Sequence, residues 1–63
     1  MHEWSVNKQT THDYRRNGKL LAYVVPYGNA WAAVILRVGK IKSFTRLDDA
    51  KLHAETIIAL EGL

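Results

Sequence analysis

No cysteine occurs among the 63 residues, so neither a disulfide nor a thiolate metal site can brace the fold. Proline occurs once, as Pro26, and the four glycines are scattered among turn positions with no phosphate-binding glycine loop. Long apolar runs are missing too. The longest uncharged stretch, residues 20–36, falls short of a membrane span and is interrupted by Pro26, Gly28 and Asn29. The opening Met1-His2-Glu3-Trp4-Ser5 lacks the basic start and apolar core of a signal peptide. These absences lead to the expectation of a soluble, cytoplasmic protein with no membrane partner.

Acids are also scarce, six against nine Lys and Arg, giving a formal charge of +3. That balance permits a nucleic-acid partner without demanding one. Hydrophobic residues make up 48% of the chain, enough to argue for a folded globule over a disordered tail. One domain spanning residues 1–63 is expected. A domain of this size buries only about 60% of its unfolded surface. With disulfides excluded, oligomerisation is the staple left most open.

The informative stretch is residues 20–38, LLAYVVPYGNAWAAVILRV, which reads as two strands folded back on Gly28-Asn29. Residues 3–8 alternate as a half-buried strand. Residues 9–18 are polar throughout and read as a long loop closing on Asn17-Gly18. Strands follow at 19–27, 30–38 and 41–44, the last two joined by a tight turn at Gly39-Lys40. The final segment is helical, with Leu47, Ala50, Ala54, Ile57 and Ile58 on one face. Thr45 is expected to cap it, Asp48 and Asp49 to complement its dipole, and Gly62 to stop it. The expected fold is α+β: a small antiparallel meander of three to four strands, β-β-β-β-α, with one C-terminal helix packed on one face.

Register counted from the two turns divides the sheet into faces. Leu21, Tyr23, Val25, Tyr27, Ala32, Val34, Leu36, Val38 and Ile41 share one; Leu20, Ala22, Val24, Trp31, Ala33, Ile35 and Phe44 share the other. Neither is polar, and one helix covers only one face. Ala22 and Ala33 leave room for it, so the helix is assigned to their side. Tyr23, Val25, Tyr27, Val34 and Leu36 then stand as candidate partner-binding residues, because large uncovered apolar patches mark interaction sites. A competing reading folds Trp4, Val6 and the long loop over this face. Leu52 projects away from the helix core, as lone surface leucines often do.

The same register is expected to gather Lys8, Arg15, Arg16, Lys19, Arg37, Lys40 and Lys42 at one end of the sheet. Of these, Arg15, Arg16, Lys19, Arg37, Lys40 and Lys42 are the candidate nucleic-acid contacts, since cations beside tyrosines suit phosphates and bases. A solvated edge explains the same residues without a ligand. Catalysis has little support. Ser5 and Ser43 lack a triad motif, and Asp48 and Asp49 diverge by about 100° on a helix. His12-Asp13 is a chance-level dipeptide of a polar loop. His2, His12 and His53 lack metal-ligand spacing. No enzyme activity, metal or cofactor is expected.

The run from Gly39 through Thr45 and Asp48 to Ala54 resembles the last strand and helix of sheet-plus-helix DNA-binding modules, such as the arm-binding domains of tyrosine recombinases. That resemblance implies a sheet face entering the major groove. The uncovered face here is apolar where such a sheet carries Arg, Lys and Asn, so no contact residues carry over. Two readings follow. The first is a non-enzymatic module that uses the apolar face for self-association, as a homodimer, or to bind and even inhibit a protein partner, like accessory proteins of phages and mobile elements. The second is a small basic nucleic-acid-binding protein that uses the cationic end, as a dimer.

Overall fold

Asn17 and Gly18 both hold positive φ, 51° and 85°, in the computed structural model, which describes residues 1–62. This pair of left-handed residues matches the twist of a two-residue hairpin. At the second hairpin only Gly28 is left-handed, at φ 61°, so Asn29 needs no special conformation. Glycine tolerates this backbone because it has no Cβ. Between them these turns frame β2 (His12–Arg16), β3 (Lys19–Tyr27) and β4 (Ala30–Ile35). Edge strands β1 (His2–Val6) and β5 (Lys40–Phe44) complete an antiparallel meander in sequence order, followed by α1 (Leu47–Glu61).

The described residues therefore form five strands, one more than the upper end of the sequence reading. The extra strand is β2, within residues expected to be loop. Its composition, His-Asp-Tyr-Arg-Arg, hides the alternation. His12 and Tyr14 turn rings toward the helix side, while Asp13 and Arg15 point to the other. Rings supply the buried area that aliphatic side chains usually give a strand. Asn7 organises the preceding turn: its Oδ1 accepts from the Gln9 and Thr11 amides at 2.8 and 3.1 Å.

Register across the Gly28 hairpin is as counted, with Tyr23 opposite Val34 and Val25 opposite Ala32. The next connection differs. Residues 36–39 form a wider turn closed by Gly39 N donating to Ile35 O at 2.9 Å, and Val34 faces Ile41. The pairing slips from the expected one by an even number of residues, so Ile41 and Phe44 keep their faces. Val38, no longer in a strand, packs against the helix-side core instead of the open face.

A bulge produces the second correction. The β2–β3 register shifts at Tyr14/Arg15, so Tyr14 faces Ala22 but Arg15 faces Leu20. The extra residue reverses the alternation. Leu21 thereby joins the core with Ala22, Ile35, Ala54 and Ile58, and Leu20 stands beside Arg15.

The helix lies on the Ala22–Ala33 side, where it was expected. Ala22 and Ala33 on the sheet and Ala50 and Ala54 on the helix are fully buried, which lets the backbones approach closely. Ile35, Ile58 and Val24 fill the space around them. The expected Thr45 cap does not form. Helical geometry begins only at Leu47, which packs beside the Val24–Ala33–Ala50 cluster, so Arg46 occupies the cap position with no side-chain bond. Asp48 and Asp49 do fall in the first turn, and Gly62 closes the helix at φ 73°. Leu52 is exposed, as read.

Candidate functional site

Where β1 and β2 pass beside the helix, rings replace aliphatic packing. Trp4 and Tyr14 lie 4.6 Å apart by ring centroids, and Tyr14 stacks on His2 at 5.4 Å. The Trp4 indole N–H donates to Glu55 at 2.7 Å, and Lys51 Nζ sits 5.2 Å from the Trp4 ring. Trp4 is thus held on the helix side, so it does not fold over the opposite face. Burial and the Glu55 carboxylate raise the Tyr14 phenol above its usual range.

Two histidines share this side of the sheet. His12 meets Trp31 edge-on at 5.6 Å, and burial, then Lys51, lower its pKa against a smaller opposing pull from Asp13. His53 packs on Phe44 at 5.1 Å and is lowered by burial, then Lys42 and Lys40. As pH falls through about 6.5, the unfolded chain takes up these protons before the folded one. The stability they contribute is full above that pH and is lost as pH drops toward the lowered folded-state values. The melting temperature should therefore be lower at pH 5 than at pH 7.5, and H12Q and H53Q should each flatten the slope. A melting temperature unchanged between the two pH values would contradict this. Among the described residues no cluster of three or more His, Asp or Glu is placed to hold a metal ion.

The opposite face carries no covering element among the described residues. One row crosses all five strands, Ser5–Asp13–Tyr23–Val34–Ile41. Glu3 and Arg15 lie beside it on β1 and β2, and Val25, Ala32 and Ser43 on β3–β5. The face is therefore divided: charged over β1–β2, uncharged and mostly apolar over β3–β5. All five candidate partner-binding residues stand on or beside the apolar part. Tyr23, Val25 and Val34 are half-buried by their neighbours, while Tyr27 and Ile41 are 70% exposed and Leu36 45%. On the charged half, Arg15 Nη2 donates to Asp13 Oδ2 at 3.4 Å, and Arg15 Nη1 is buried without a hydrogen-bond partner. The polar half was invisible without β2.

The basic residues do not gather as counted. In a meander successive turns alternate ends, so Lys8, in the β1–β2 turn, lies at the far end. Arg15 is committed to Asp13 on the open face. Lys42 extends over Phe44 at 5.5 Å and, with Lys40, belongs to the edge strand beside His53. Only Arg16, Lys19 and Arg37 converge, around a hollow that includes Asn17, Leu21 and Gly62. The last helical turn carries no basic residue of its own, so these cations from β2, β3 and the 36–39 turn complement the negative end of its dipole. No helix among the described residues is long and apolar enough to cross a membrane. Comparison with protein-family models, curated proteins and solved structures finds no match.

Proposed function

We propose that this chain is a non-enzymatic interaction module that associates with a second copy of itself through the open face of its sheet. The observation that carries the reading is the uncharged half-face built by Tyr23, Val25, Tyr27, Val34 and Ile41, on the side away from α1. Contiguous apolar surface of this kind costs free energy in water and is normally covered. A copy is the occupant that fits the charge distribution. A two-fold axis over β4 lays apolar half on apolar half, the usual isologous arrangement of dimers. It leaves Glu3, Asp13 and Arg15 at the rim, where interfaces are polar. Sheet-on-sheet packing also adds buried area that a domain of this size lacks on its own.

Light scattering tests the reading. The mass should rise with concentration from 7.2 kDa toward twice that value. I41K should hold the chain at the monomer mass with an unchanged far-ultraviolet spectrum, because Ile41 is mostly exposed on an edge strand. A strict monomer at high concentration would sink the dimer, as would an I41K chain that still dimerises. A heterologous protein or a nucleic acid recovered on a monomeric chain would replace it.

A further inference from the structure

We infer that a cleft at the strand ends binds an acidic peptide segment bearing an apolar side chain. Two adjoining hollows, of about 340 and 360 Å³, share Lys19, Leu21 and Arg37. The first adds Leu20 and Leu36, the second Arg16 and the helix end at Gly62. Among the described residues no acidic side chain lines either one.

Charge balance argues for an anionic ligand. The helix end contributes roughly half a negative charge. With Glu61 of the last turn counted in full, Arg16, Lys19 and Arg37 still outnumber the negative charge that the described residues bring to the hollow. Among the described residues none of the three forms an ion pair. Guanidinium groups favour carboxylates through paired N–H donors, and two of the three cations are arginines.

The apolar lining narrows the ligand class. Leu20 and Leu36 are products of the bulge and of the wide 36–39 turn, and they place aliphatic surface directly beside Lys19 and Arg37. Among the described residues no aromatic side chain lines the cleft, so bases have no stacking platform, and the remaining lysines stand elsewhere rather than tracking a phosphate backbone. Carboxylates next to a leucine or similar side chain satisfy both halves of the site.

The test is an NMR titration of the nitrogen-15-labelled chain with an acetylated, amidated peptide of alternating glutamate and leucine. Saturable shifts are expected at the amides of Lys19, Leu20, Leu21 and Arg37. The glutamine-for-glutamate peptide should bind at least about fivefold more weakly, the scale of exposed ion pairs acting together. R37E, an exposed turn substitution whose spectrum should remain dispersed, should lose the shifts. The same variant should keep its dimer mass, because Arg37 lies outside the uncharged half-face. Equal binding of the glutamine peptide, shifts elsewhere, no shift at millimolar peptide, or shifts with oligothymidylate alone would overturn the inference.

Discussion

Replacing Ile35 with alanine should remove about 2–5 kcal/mol of stability, the range for truncating a buried isoleucine when the cavity only partly collapses. Ile35 is fully buried, in one cluster with Leu21, Ala22, Ala54 and Ile58 between the sheet and the helix. A chain of this length is expected to hold only roughly 3–9 kcal/mol in total. I35A should therefore be largely unfolded near body temperature, or melt roughly 8–40 °C lower at about 4–8 °C per kcal/mol. Circular dichroism melts measure it directly. V34A is the internal comparison, being one residue along and on the opposite face. In dilute monomeric protein it should cost much less. Equal losses from the two variants would mean that the helix does not cover the Ile35 side.

Enlarging the alanine seam should be nearly as damaging. Ala33 is fully buried in a cluster with Val24 and Ala50, so a leucine there has no vacant volume to enter. Overpacking commonly costs about 1–3 kcal/mol and sometimes more. Here relief requires the helix to withdraw, which opens Val24, Ile35 and Ile58 to water at the same time. A33L should consequently fall at or above the top of that range in urea denaturation. A59L, on the exposed side of the same helix, should stay within about 0.5 kcal/mol of the parent. An A33L chain as stable as the parent would show that the seam is looser than the structure has it.

These two residues also show why much of the fold was legible. A two-residue turn at Gly28-Asn29 fixes the pairing beside it, so the faces of residues 22–27 and 30–35 followed by counting. The small side chains of Ala22 and Ala33, which leave room for a helix, then favoured their side over the tyrosine side. Residues whose placement depended on backbone irregularity were not legible. Nothing in the sequence marks the bulge that turns Leu21 inward, because a bulge is set by the pairing of two strands, and one of them, β2, had read as loop. Nor does Gly39 announce a four-residue turn in place of a two-residue one, and Val38 was misplaced for that reason. The basic site suffered doubly. Its members were assembled from a register that slipped and a loop that was a strand, so three of the six candidate contacts, Arg15, Lys40 and Lys42, lie apart from Arg16, Lys19 and Arg37.

The meander order bears on how the chain reaches this state. Each strand pairs only with its sequence neighbours, so every step of sheet growth closes a short loop at small entropic cost. The one distant closure is the return of α1 across the finished sheet, tying Glu55 to Trp4 across 51 positions. The two-residue hairpins at Asn17-Gly18 and Gly28-Asn29 can nucleate locally, whereas the helix closes the longest loop when it docks on its alanine seam. Until that moment both faces of the sheet are bare, so the interval before docking is the time in which unfinished copies are most prone to meet through the wrong side.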